Sequence, residues 1–261
     1  MIKKLMKYDI KNITKILWIM YVIALPLAVI TRLLDFGKEI QIVYILSKIF
    51  LGCTFSAIAN ILVNTFVHIL RVFIGNFYKD ESYLTHTLPV TKKQLFLSKY
   101  LSSILVILAS VVVCIVALLI TFYSKDFIES VKAFLEYSIA GFDIPVWLFV
   151  TLSASLLFFQ ISGIISMVFC AIIKANTYNE QRLLKGLLWF FIYYIGAGLV
   201  FLLLISAGFL VSGNIQSLLA EQLSKGVIIT LFAISLSYYF GLSIAYYFIA
   251  LKIFKKGVNV D

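Results

Sequence analysis

The chain alternates between long apolar stretches and short polar connections. Six of the stretches reach about 20 residues, enough for a helix to cross the hydrocarbon core of a bilayer. They fall roughly at 16–34, 49–70, 101–123, 146–173, 187–212 and 227–251. The last five contain no Asp, Glu, Lys or Arg, and the first carries Arg32 near its end, where a long side chain can reach the headgroups. Pro26, in the middle of the first span, removes one backbone hydrogen bond and predicts a kink.

The polar connections have patterns of their own. Lys3, Lys7, Lys11 and Lys15 recur every four residues beside Ile2, Leu5, Met6, Ile13 and Ile16, which predicts an amphipathic helix over 1–15 lying along a membrane surface. Such a helix can serve as an anchor alone or also brace a cytoplasmic partner. Residues 126–138 set Phe127, Val131, Phe134, Leu135 and Ser138 against Asp126, Glu129, Lys132 and Glu136, a second amphipathic helix, on the outer surface. The expected fold class is therefore all-α. It is a polytopic membrane protein with an interfacial helix (1–15), one six-helix transmembrane bundle (16–251) and a short cytoplasmic tail (252–261). Residues 35–48 form an outer connection along the interface, and that between spans five and six, about 213–226, leaves little room for a large outer domain.

Composition agrees with this class. A 62% apolar fraction, a mean hydropathy of +1.05 and 13% charged residues suit a chain dissolved in lipid. Charge then sets the orientation, because basic loops are retained in the cytoplasm. With both termini inside, 16 of the 22 basic residues lie on the cytoplasmic face, which carries +11 against −1 outside. The expected location is the plasma membrane. The overall +10 is spread over a membrane face with no basic, aromatic-interleaved domain behind it, so nucleic acid is not an expected partner. Cys53, Cys114 and Cys170 fall inside spans as small apolar fillers, and the N-terminal apolar run has no small-residue cleavage pattern and is taken as a retained span.

Six groups of residues stand out as candidates for function or helix contact. In the first inner loop (77–100), Thr91 is placed to cap a helix, with Gln94 three residues later as its reciprocal partner. That helix exposes Lys92 and Lys93, offers Leu95 and Phe96 for packing, and merges into the third span; a capped helix makes a rigid docking surface. In the second span Asn60, Asn64 and His68 share one helical face, which must turn toward other helices or water, either for interhelical hydrogen bonds or to line a path or subunit interface. Gln160, with Gly163 and Ser166, marks a packing face of the fourth span, while Tyr238 and Tyr239 lie at mid-bilayer depth, where hydroxyls need a partner. Ser237, Gly241 and Ala245 recur every four residues, spacing that lets another helix approach closely. The second inner loop, 174–185, is a further contact candidate.

Other chemistry is missing. The sequence has no phosphate-binding loop, no His-Glu-x-x-His pair and no Gly-x-Ser-x-Gly elbow, and a lone His68 makes no metal site. All 12 carboxylates lie outside the apolar spans, which weighs against an ion-coupled carrier. Neither catalysis nor a bound cofactor is expected of this chain. Its alternatives are an ion-coupled carrier or a membrane scaffold or sensor subunit.

The first inner loop resembles that of the permease subunits of type-2 ABC exporters, the bacterial antibiotic-, lantibiotic- and peptide-efflux permeases. The residues that carry the resemblance are Asp80, Glu81, Tyr83, Leu84, Thr87, Leu88, Pro89, Val90, Thr91, Gln94, Leu95 and Lys99, with Ser82 standing where that family has a glycine. The six-span layout is similar as well. The resemblance implies that the segment around 80–99 is a coupling helix seated in a separate ATP-binding subunit, which would hold ATP and Mg. Docking would fall on Asp80, Glu81, Tyr83, Leu88, Pro89, Thr91, Lys92, Lys93, Gln94, Leu95 and Phe96. Two copies, or one with a related permease, would pair in the lipid over two ATPases and move an amphipathic peptide or lipophilic drug.

Overall fold

The computed structural model describes residues 2–37, 39–79, 82, 87, 89–139, 144–178, 180–212 and 225–256. They form seven helices: α1 Ile2–Phe36, α2 Gln41–Tyr78, α3 Lys92–Phe122, α4 Lys125–Ile139, α5 Val146–Ala175, α6 Arg182–Ser212 and α7 Lys225–Lys256. All except α4 are long and apolar enough to cross a membrane. The protein is a polytopic helical membrane protein. Its chain divides into two compact units, one through Ile128 and one from Glu129.

Two helices are longer than the apolar pattern implies. The amphipathic stretch 2–15 and the first span are a single helix. Asp9, Ile13, Leu17, Tyr21, Ala24, Ala28 and Thr31 make one buried stripe at steps of three and four that runs through the expected junction without a break. No glycine or proline stands before Pro26 to stop the helix there. Of the expected outer connection 35–48, only the turn at Gly37 precedes α2, whose first turns take up the remainder. A Cβ on Gly37 would lie 3.0 Å from Val43 Cγ1, which accounts for the small residue at this reversal. Most of the connection 213–226 lies outside the described residues.

In the first unit, α1 packs against both α2 and α3. Asp9 meets Ser98 and Lys99, and Tyr21 meets Ser110, so α1 and α3 run parallel in register. α2 runs antiparallel between Thr31–Thr54 at one end and Phe73–Phe96 at the other. The interior is apolar at Leu17, Ala24, Ile61, Phe73, Phe77, Phe96 and Val106, with a row of hydroxyls through it. Ser110 bonds both Tyr21 (2.7 Å) and Thr65 (2.8 Å), joining all three helices.

The second unit repeats this plan. α5 and α7 run parallel, paired at Phe149–Phe232, Phe159–Phe240 and Ser162–Ser243 (2.8 Å). Gly163 lets α7 come close, since a Cβ there would lie 2.8 Å from Leu242 Cδ2. The expected approach face on α7 is instead open. Ser237, Gly241 and Ala245 are exposed, and nothing stands within 4 Å of a Cβ on Gly241. α6 is antiparallel, held where the Tyr238 hydroxyl donates to the Ala197 carbonyl (2.5 Å) and that of Tyr246 to the Tyr193 carbonyl (3.3 Å). α4, spanning 125–139, exposes Phe134 and Tyr137 as an amphipathic surface helix should.

Candidate functional site

The start of α3 is built by its own sequence. Thr91 takes an extended conformation, its Oγ1 accepts the Gln94 N–H, and the Gln94 side chain accepts the Thr91 N–H, both at 3.3 Å. The reciprocal cap satisfies two backbone donors that the first turn leaves over. From this start the residues diverge. Pro89, Thr91, Lys92 and Lys93 are exposed, with Gln94 half-buried beside them. Leu95 (4% exposed) and Phe96 (0%) turn into the first unit, where Phe96 meets the ring of Phe73. Their packing is therefore internal, and the outward face consists of Pro89, Thr91, Lys92 and Lys93. Asp80, Glu81, Tyr83 and Leu88 lie outside the described residues.

One turn beyond Leu95, Lys99 makes a buried ion pair with Asp9 of α1, and Ser98 Oγ donates to the other carboxylate oxygen at 3.0 Å. Asp9 is 7% and Lys99 5% exposed. Asp9 lies outside the apolar spans, as all 12 carboxylates do, yet it is buried, so the expectation of no buried acid fails there. The signal was present in the sequence: Asp9 lies four residues before Ile13 on the buried stripe of α1, and Lys99 four after Leu95 on that of α3. A carboxylate and an ammonium share a dry site only when paired and hydrogen-bonded. The pair ties the lysine-rich start of α1 to the capped start of α3.

On α2, Asn60 is exposed and Asn64 and His68 are half-buried. The buried face of α2 lies one residue further on, at Ile61, Thr65 and Ile69. Asn64 Nδ2 donates to the Asn60 carbonyl of its own helix at 2.9 Å. Among the described residues, no interhelical hydrogen bond reaches any of the three. Counting about 20 residues of hydrocarbon thickness from Lys48 puts Asn60 and Asn64 inside the apolar slab and His68 at its edge. In the second unit, Tyr238 is a helix-interface residue by its bond to Ala197. The Tyr239 ring lies 5.7 Å from that of Phe201, tilted against it, and edge-on to Tyr238, and Gln160 is half-buried on α5.

The connection between α5 and α6 carries two cation–π contacts. Lys174 lies 5.4 Å over the ring of Trp189 and Lys185 4.7 Å over that of Tyr178, while Gln181 takes a positive φ of 51°. No three His, Cys, Asp or Glu side chains converge among the described residues. Compared with family models, with curated proteins and with solved structures, the chain matches none.

Proposed function

We propose that the protein is the membrane-embedded subunit of an ATP-driven exporter, moved by a separate ATP-binding subunit that docks at the start of α3. The observation that carries this is the division of labour in that first turn. A reciprocal cap fixes the helix end, two adjacent lysines face outward, and Leu95, Phe96 and Lys99 root it in the first unit. Force applied to Lys92 and Lys93 would pass directly into α3 and, through Asp9, into α1. Rigid coupling of this kind needs a packed, hydrogen-bonded path and not a flexible loop.

The face of Asn60, Asn64 and His68 supports a transport role, because amides at that depth need polar partners and the first unit offers this face only the Asn60 carbonyl of its own helix, to Asn64. In this proposal they meet a second permease copy, a related permease, or the cargo. Amphipathic peptides and lipophilic drugs are the cargo class that suits a path between apolar helices. The basic ends of the chain face the cytoplasm of a plasma membrane, where the ATP-binding subunit works.

Co-purification tests the docking claim. Lys92→Glu with Lys93→Glu should release the proposed ATP-binding subunit without unfolding the protein. Retention of full association and full transport would remove α3 from the mechanism. Leu95 and Phe96 are unsuitable for this experiment, since charging either would disrupt the core.

One observation favours a second reading, an ion-coupled carrier. The buried Asp9 continues into hydroxyls at Ser98 and Ser103 on α3 and, further along, Ser110, Thr65 and Tyr21. Transport by the chain alone, driven by an ion gradient, would select that reading.

A further inference from the structure

At the end of the first unit opposite the Asp9–Lys99 pair, a pocket of about 260 Å³ is formed where α1 and α3 stop and α2 and α4 begin. It lies at a membrane boundary, because three spans end there. Its volume falls below the roughly 300–1,000 Å³ of pockets that hold drug-sized ligands, so it fits a headgroup and not a peptide cargo. Arg32 and Lys48 both line it. They are two of only six basic residues that the charge distribution leaves off the basic face.

The polar groups of the pocket divide into two sets. Arg32 and Lys48 are donors only. Each is steadied by a ring, the guanidinium 4.6 Å from the Phe36 centroid and the ammonium 5.1 Å from that of Tyr44. Ser124 Oγ accepts the Phe127 N–H at 3.0 Å, which leaves its own hydrogen to donate. The other set accepts. Ser47 and Thr121 spend their hydrogens on the carbonyls of Tyr44 (2.8 Å) and Ala117 (2.9 Å) and so present lone pairs. Asp35 adds a carboxylate, 3.5 Å from Arg32.

We propose that this pocket binds the phosphoethanolamine headgroup of a phospholipid. The phosphate takes Arg32, Lys48 and Ser124, and the ammonium takes Asp35 with the lone pairs of Ser47 and Thr121. Exposed Phe36 and Tyr123 beside the mouth give the acyl chains an apolar flank. A headgroup without an amine leaves the Asp35 carboxylate with Arg32 as its one charged partner in the pocket, which the phosphate also engages, and a trimethylated amine cannot donate to it. The site is independent of the exporter proposal.

The test is lipid retention by the purified full-length protein, quantified by mass spectrometry after exchange into detergent with phosphatidylethanolamine, phosphatidylcholine or phosphatidylglycerol. Phosphatidylethanolamine should be retained in preference to the other two. Arg32→Gln and Lys48→Gln should each weaken its retention about tenfold, as loss of one charged hydrogen bond does. Asp35→Asn should erase the preference over phosphatidylglycerol while phosphate binding persists, and Lys132→Gln on α4 should change nothing. Equal retention of the three lipids, or wild-type retention by Lys48→Gln, whose rim position spares the fold, would overturn the proposal. Displacement of the lipid by soluble phosphoethanolamine at equal concentration would equally overturn it, by assigning the pocket to a soluble ligand.

Discussion

Asp9 and Lys99, ninety residues apart in the chain, form an ion pair inside the first unit, with Ser98 completing the shell of the carboxylate. Both side chains are buried. Removing one partner breaks the pair and leaves a buried charge less well compensated, which costs about 3–5 kcal/mol for buried pairs. Asp9→Asn and Lys99→Met should therefore each lower thermal stability in detergent sharply. Replacing both by leucine should recover most of the loss, because two apolar groups need no partner. Additive loss in the double variant would show that the pair is not a closed unit.

The approach of α5 and α7 makes opposite demands on two glycines. Gly163→Leu drives a side chain into Leu242 and should destabilise by about 1–3 kcal/mol or prevent folding, with Leu242→Ala giving partial rescue. Gly241→Ala meets nothing and should raise stability by about 0.5–1 kcal/mol through helix propensity. Thermal unfolding of the two variants side by side decides it. Equal destabilisation would put the close contact on the Ser237, Gly241, Ala245 face after all.

Loss of the cap at Thr91 should be local. Thr91→Ala frees the Gln94 N–H and should cost about 1 kcal/mol, with hydrogen exchange rising at residues 92–95 and not deeper in α3. Thr91→Asp keeps a capping oxygen and should restore protection. Exchange that is unaltered in Thr91→Ala would mean that Leu95 and Phe96 alone hold the helix end.

On α2 the prediction separates stability from activity. Asn60→Leu, Asn64→Leu and His68→Leu remove no interhelical bond of the first unit, so the unfolding temperature should hold. Transport at matched expression should fall in at least Asn60→Leu and Asn64→Leu. Should all three transport normally, the stripe has no part in a path or subunit interface.

The spans were legible because twenty uncharged residues admit few alternatives, and the cap was legible because Thr91 and Gln94 act within one turn. Helix ends were harder to read. The lysine spacing of 3–15 describes a surface helix equally well whether it lies flat or continues into the span, and only the buried stripe from Asp9 to Thr31 settles it. Asp9–Lys99 required knowing that α1 and α3 lie parallel in register, a tertiary fact. The α7 stripe misled for a related reason: small residues permit close approach, but the neighbour came to the adjacent face, at Leu242 and Ser243. Likewise Leu95 and Phe96 read as docking residues because a sequence does not say which side of an exposed-looking loop helix meets the bundle.

The central claim, that this chain receives its driving force from outside through the start of α3, is tested most directly in proteoliposomes. The chain would be reconstituted with and without the proposed ATP-binding subunit, and uphill movement of a labelled amphipathic peptide followed with ATP inside or outside. The account predicts movement only when the subunit is present and hydrolyses ATP, and its loss in Lys92→Glu with Lys93→Glu. Uphill movement by the chain alone on an ion gradient, with no nucleotide hydrolysed, would contradict it.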